Sequence, residues 1–356
     1  MNLKIKWLRD KLKQLDMQGM IISNPINIKY LTNIEAEGTL LITRKENLYI
    51  TDGRYVESAN SSITIDDEII VCDVRSISNE DYENFFVFCE NVGFEENDIT
   101  YAEYKRIMHT YKVNNLVETE YIIERQRMIK DEEEICKIKK ACEITDKCFE
   151  HLLSYVKKGM TEKQIALEIE NFYIENGAEG NSFDPIVATG PNSSMPHSIP
   201  TDRKIQSGDV ILIDMGCKYQ GYCSDMTRTI FMDYMPKEVK EVYDLVLKNQ
   251  ELTHRELKDG GNIRIISKAV ENDFKLHDYL LIHSIGHGVG LEIHELPYMS
   301  TKSDKLLKDN MVLSNEPGIY VPGQFGIRIE DTVQITKNGC INLTKSTKNY
   351  TIIGNT

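Results

Sequence analysis

The 356-residue sequence is short of positive charge: 42 lysines and arginines stand against 56 aspartates and glutamates, a formal net charge of −14. That deficit argues against a nucleic-acid partner, whose phosphates need a basic patch, and against an anionic membrane surface. Solubility is the ordinary reading of such acidity, and a metal site would use part of it. No apolar run approaches the roughly 20 residues of a membrane span. The N-terminal stretch MNLKIKWLRDKLKQL is amphipathic and charged, without the apolar core of a secretion signal. The eight cysteines are scattered and form no CxxC. Cys136, Cys142 and Cys148 lie six apart on a predicted helix, a poor spacing for sharing a metal. The expectation is a cytoplasmic protein with reduced thiols. No internal repeat or low-complexity tract is visible.

The length suits two domains. Ile5, Leu8, Leu12 and Leu15 fall on one face of a first helix. Strands are expected at Met20–Ser23, Thr39–Thr43, Asn47–Thr51 and Ile69–Val74, with Glu57–Ser62 a polar connection. Helices follow around Asp81–Val92 and Glu103–Tyr111, so a small α/β domain covers about the first 120 residues. Lys112–Lys130 reads as the junction. Beyond it, Asp131-Glu132-Glu133-Glu134 opens a long helix, with acids where the helix dipole favours them. Thr161-Glu162-Lys163-Gln164 is a capping box opening another. Two more helices are expected over Lys237–Leu257 and Ile263–Phe274. Strands are expected at Phe183–Gly190, Val210–Met215, Tyr222–Met232, Leu280–Ser284, Val289–Ile293, Met311–Ser314, Gly326–Gln334 and Ile341–Leu343. Helices followed by runs of β with hairpins read as α+β.

Leu280–Leu296 (LLIHSIGHGVGLEIHEL) concentrates proton and metal chemistry, with His283, His287 and His294 spaced by four and seven. Glycines bracket His287 and favour strand–loop–strand over a helical metal motif. Glu295 has no partner spacing and reads as structural. Asp214 and Asp225 are symmetric about Tyr219/Gln220. A hairpin centred there sets the two carboxylates opposite each other, which is destabilising without a cation between them. The bland alternative, equally weighted, has one aspartate capping a turn and the other paired with Arg228. Glu316, before Pro317-Gly318, ends a strand at a turn. Glu330 shares a strand face with Arg328, for which a surface ion pair is the bland reading. Taken together, two Asp, one His and two Glu suit Mn²⁺, Co²⁺, Zn²⁺ or Fe²⁺. Five ligands are too many for one catalytic zinc, whereas two metals about 3.5–4 Å apart would use them all.

Four ordered motifs then carry a resemblance: DMGCKYQGYCSDMTRT (Asp214–Thr229), HSIGHGVGLEIHELP (His283–Pro297), NEPGIY (Asn315–Tyr320) and GIRIEDTV (Gly326–Val333). Over Asp131–Thr344 the sequence resembles the creatinase/prolidase/methionine aminopeptidase family, the pita-bread metallopeptidases. By that resemblance, Asp214 chelates one metal, His287 and Glu316 bind the other, and Asp225 and Glu330 bridge them with a hydroxide between. Glu316 also handles the water's proton. GPNSSMPHS (Gly190–Ser198) resembles the proline-peptidase segment whose histidine, here His197, faces substrate. His283, His294 and Arg328 match that same Xaa-Pro aminopeptidase/Xaa-Pro dipeptidase (prolidase) branch. INIKYLTNI (Ile26–Ile34) and TDGRY (Thr51–Tyr55) resemble its extra N-terminal domain. The resemblance implies an N-terminal creatinase-like domain over 1–123 and a pita-bread catalytic domain over 124–356. The latter is an antiparallel sheet with covering helices. It also implies a dinuclear metallo-exopeptidase acting on small peptides with a free N-terminus and proline second. Two divalent ions, manganese (Mn²⁺) ranked first, and a homodimer complete the expectation. The alternatives are another N-terminal specificity on the same site, a metal-free binding module, or a creatinase-like amidinohydrolase.

Overall fold

The structure, a computed structural model, describes residues 2–64 and 68–354. The chain divides into two compact units, Met1–Arg127 and Met128–Thr356.

Among the described residues the first unit holds a six-stranded mixed sheet. Its order is Ile69–Asp73, Asn47–Thr51, Gly38–Thr43, Gly19–Ile22, Asn91–Phe94 and Asn115–Glu118. The central Gly19–Ile22 strand pairs antiparallel on one side and parallel on the other. Such a strand is covered on both faces, and all four of its residues are buried. The first helix, Leu3–Gln14, is capped by Asn2 and buries Ile5, Leu8 and Leu12. Leu15, expected on that stripe, lies past the helix end and is 47% exposed.

Two expectations here need correction. Asp81–Val92 is not one helix. A Ser78–Asp81 capping box starts a helix over Asn79–Phe85, and the chain then turns into the buried Asn91–Phe94 strand. Gly93 admits that strand, because a Cβ there would sit 2.7 Å from the Thr119 methyl. The polar Glu57–Ser62 stretch belongs to a helix, Val56–Ser62, and its polarity is that of an exposed element. The Lys112–Lys130 segment, read as the junction, contains the division between the two units after Arg127, and it also carries an edge strand, Asn115–Glu118, and a helix, Ile122–Arg127.

The second unit is α+β. Capping boxes at Asp131/Glu134 and Thr161/Gln164 open the helices Glu132–Tyr155 and Glu162–Glu175. These pack Ile144, Phe149, Leu152, Ile165 and Ile169 against Ile211, Ile213 and Ile230. The sheet beneath has the order Thr351–Ile353, Met226–Met232, Val210–Met215, Ile186–Thr189. A second helix pair, Lys237–Glu256 and Ile263–Leu276, packs Val242, Val246, Ile266 and Phe274 against Leu313, Ile327 and Val333. Its sheet has the order Glu295–Tyr298, His287–Gly288, Val312–Asn315, Asp331–Thr336, Gly339–Asn342. Strand side chains alternate between faces. Ile211 and Ile213 enter the helix-covered core, so Asp214 points the other way.

Several strands are shorter or broken relative to expectation. Gly326–Gln334 divides into Phe325–Arg328 and Asp331–Thr336, each with its own partners. Tyr222–Met232 is interrupted at Ser224-Asp225. Leu280–Ser284 and Val289–Ile293 are not strands; pairing is confined to His287–Gly288 and Glu295–Tyr298. The glycines explain this. A Cβ at Gly286 would lie 2.0 Å from the Ser314 carbonyl oxygen, and one at Gly288 would lie 2.2 Å from that of Leu296. Close backbone approach, not a long ladder, is what they permit.

Candidate metal centre

Asp214 is the penultimate residue of the Val210–Met215 strand and pairs in register with Thr227. The turn therefore centres on Gln220-Gly221, not on Tyr219/Gln220, and Tyr219 pairs with Tyr222. Asp225 sits diagonally from Asp214 rather than directly opposite. A slip of one residue would have sent one carboxylate to the far face. The actual difference moves the partner by two, so both still face one cavity.

That cavity has a volume of about 220 Å³, and Asp214, Asp225, His287, Glu316 and Glu330 all line it. His197, His283, His294 and Arg328 line it as well. Every sequence-predicted site residue is thus brought to one place. His287 Nε2 lies 3.2 Å from Glu316 Oε1 and 3.4 Å from Asp225 Oδ2. Its Nδ1 is 3.1 Å from the Gly288 carbonyl. Donation from Nδ1–H there aims Nε2 at the carboxylates, to which it donates while the ring is charged and offers a lone pair once the ring is neutral. Asp225, His287 and Glu330 offer ligand atoms within 4.8 Å of one another.

The bland readings fail on geometry. Arg228 pairs with Asp331 at 2.7 Å, not with Asp214 or Asp225. Arg328 is buried and pairs with Asp214 Oδ2 at 2.5 Å, not with Glu330 on the surface. Glu295, read as structural, makes a buried ion pair with Lys130 at 2.6 Å.

Burial and crowding set the protonation of the group. Burial drives Asp225 and Glu330 well above the ordinary carboxylate range, and neighbouring carboxylates push the same way. Asp214 is raised by burial, with Arg328 opposing. Burial also acts upward on Glu316, but its hydrogen bond to His287 and that ring's charge prevail and bring it to about 2. Burial lowers His283 and His294. Asp214 Oδ1 is buried without a hydrogen-bond partner among the described residues. A buried acceptor without a partner is costly, and a cation satisfies it. An oxygen-rich set with one imidazole is the donor chemistry of a divalent first-row ion. The residues present fit such ions.

A cation that takes these oxygens must displace protons held by Asp225 and Glu330. With folded pKa values raised, affinity is expected to rise with pH until it passes those values, and to fall in acid. Calorimetric titration of Mn²⁺ at about pH 6, in two buffers of different ionisation enthalpy, is expected to report net proton release. Equal apparent enthalpies in the two buffers would contradict it.

Two contributors escaped the sequence reading. Tyr320 presents its hydroxyl to Arg328 Nη1 at 2.5 Å and to His283 Nε2 at 3.0 Å. Thr227 donates to Glu330 Oε2 at 2.6 Å and accepts from Arg328 Nε at 3.0 Å. Period-two alternation from Asp225 points to Thr227. For Tyr320 the only signal was its place in NEPGIY.

The model of metallopeptidase family M24 matches residues 136–337, and that of the creatinase/prolidase N-terminal domain matches residues 4–129. The chain belongs to metallopeptidase family M24. As a member it works with divalent metal ions. Its relatives include an uncharacterised peptidase of Bacillus subtilis, 35% identical over 99% of this chain and 100% of that protein. A Xaa-Pro dipeptidase of Pyrococcus horikoshii is 33% identical over 97% of this chain and 98% of that protein. Among solved structures, a Xaa-Pro dipeptidase from Bacillus anthracis superposes with a TM-score of 0.93 at 33% identity, covering 98% of this chain and 99% of that one. An X-Pro aminopeptidase from Thermotoga maritima gives 0.87 at 32% identity, covering 97% and 100%.

Proposed function

We propose that this family M24 protein hydrolyses the peptide bond between an N-terminal residue and a following proline. The observation that carries the reading is the convergence of two Asp, one His and two Glu on one cavity. It occurs in a chain that matches Xaa-Pro dipeptidases over nearly its whole length. Asp214 would hold one ion, His287 and Glu316 the other, and Asp225 and Glu330 both. Manganese ranks first, with cobalt, zinc and iron tolerated by the same donors. When bound, such ions supply an acidified water at neutral pH and Lewis acidity toward a carbonyl.

The chain's own residues do the rest. Arg328 holds Asp214 in place, and Thr227 holds Glu330. Glu316 handles the proton of the attacking water, its Oε1 fixed by Ser314 Oγ at 3.1 Å. His197, His283 and His294 line the cavity. In this reading they face the substrate, where His197 and His294 donate to oxygen as charge develops. His283, its Nδ1 on the Ser284 carbonyl and its Nε2 on the Tyr320 hydroxyl, is held as a wall of the site. Phe183, Ile186, Pro196, Ile293 and Tyr298 provide an apolar lining. An Xaa-Pro bond has no N–H and a fixed ring, so a pocket that packs the ring suits it better than one that reads an amide hydrogen. The proposal extends to a cytoplasmic homodimer; a monomer mass in sedimentation would remove the dimer.

Metal-stripped protein is expected to be inactive on Ala-Pro and on Ala-Pro-Ala. Refilling with Mn²⁺, Co²⁺, Zn²⁺ or Fe²⁺ in turn is expected to restore hydrolysis of at least one. The ratio between the two peptides separates a dipeptidase from a longer-peptide aminopeptidase. Failure of every ion on both peptides would end the reading.

A further inference from the structure

Glu162 is the first residue of the Glu162–Glu175 helix, a position where an acid ordinarily faces solvent and the helix dipole. Here its side chain is wholly buried. It is not needed as the cap, because Thr161 and Gln164 already form the capping box. Instead its two oxygens hold one loop at both ends. Oε1 accepts from Thr189 N (2.7 Å), Thr189 Oγ1 (2.8 Å) and Asn192 Nδ2 (3.0 Å). Oε2 accepts from Thr201 N (2.9 Å) and Thr201 Oγ1 (2.7 Å). A buried carboxylate is tolerated when it receives several such bonds.

The loop between these ends carries Pro196 and His197, both lining the metal cavity. His197 itself is exposed. The loop's middle is seated on the Phe325–Arg328 strand: Gly326 N donates to Ser193 Oγ at 2.9 Å, and Arg328 Nη1 reaches the Pro196 carbonyl at 3.4 Å. An exposed histidine on a loop takes its position from the loop, and one carboxylate bonds both ends of this loop, adding to the strand pairing of Thr189 with Ile211 and the Lys163 N–H on the Thr201 carbonyl.

We propose that Glu162 is a positioning residue that clamps residues 189–201 at both ends and so fixes where His197 stands in the cavity. This rests on the Xaa-Pro peptidase reading, in which His197 faces substrate. The test compares wild type, Glu162→Gln, His197→Ala and the double variant. Glu162→Gln keeps the shape but presents an amide NH₂ to groups that all donate. Expected is a fall of about 10²-fold in kcat/KM on Ala-Pro, the scale of a small displacement of a catalytic group, with metal content unchanged. The double variant is expected to stay within about twofold of His197→Ala, because the two act as one unit. Losses that multiply, or a loss of metal, overturn the proposal and leave the peptidase reading intact.

Amide exchange on the metal-free proteins reads the clamp without any substrate. Exchange across residues 190–200 is expected to accelerate in Glu162→Gln while that of other segments does not. Unchanged exchange there overturns the proposal even if wild type proves to cleave no Xaa-Pro peptide. Should Glu162→Gln fail to fold, Thr201→Val removes a single loop-side hydroxyl. Its expected loss of activity and protection is restored in Thr201→Ser, and equal behaviour of the two variants overturns the clamp.

Discussion

Asp225→Asn is expected to lower kcat/KM on Ala-Pro by about 10³-fold or more, at or beyond the upper end of what losing one electrostatic stabiliser costs. Glu316→Gln is expected to do the same. The fold is expected to survive both. Burial and the neighbouring Glu330, Asp214 and Glu316 already push the Asp225 carboxyl toward its neutral form, so asparagine replaces it with a group of similar shape and charge. Removing one of several crowded carboxylates also relieves repulsion. The metal-free Asp225→Asn protein is therefore expected to melt no lower than metal-free wild type, while its metal content and activity drop together. Thermal melting, elemental analysis and peptide hydrolysis on one preparation separate these effects. Full activity with full metal content in either variant would sink the ligand assignment.

Asp331→Ala is expected to destabilise the protein by roughly 3–5 kcal/mol, the cost of breaking a buried ion pair from one side. Asp331 is buried between Arg228 at 2.7 Å and Lys348 at 2.6 Å, with Gln250 Nε2 at 2.8 Å. Truncation leaves the Arg228 guanidinium buried without its counterion. The consequence reaches the metal cavity, because Arg228 also donates to the Glu330 carbonyl. A pH signature accompanies this. Burial by itself would raise the Asp331 pKa, but Arg228 and Lys348 overcome it and hold the carboxyl below its usual value. A depressed folded pKa contributes stability that is present above the unfolded value, about 4, and is lost as pH falls through the folded one. Urea unfolding is therefore expected to show the full gap between wild type and Asp331→Ala at neutral pH and a smaller one in acid. Equal stability at neutral pH would show that the network does not hold this corner together.

Some of the site was open to reading from residue order alone, and some was not. His287 between glycines, Glu316 before Pro-Gly, and Asp214 closing VILID each announce a strand end or close turn, where a side chain can enter a cavity. Local chemistry determines such positions. Alternation also placed Arg328 and Glu330 on one face, and both line the cavity. The partner of Arg328 was not legible, because Asp214 lies 114 positions away and only the paired sheets bring them together. Glu162 shows the same limit. In TEKQ it reads as a helix-start acid, and nothing local says that it bonds residues 27 to 39 positions further on.

The sequence by itself determined the α+β catalytic architecture, the donor types and the ordered motifs. These rest on period, capping and turn chemistry, which are local. The tertiary structure alone decided the diagonal placement of Asp214 and Asp225, the pairing of Arg328 with Asp214, the buried Asp331 network and the Glu162 clamp. Each depends on strand register or on contacts between distant segments. The balance of charge at such contacts is set by burial, a property of the packed chain and not of any stretch of it.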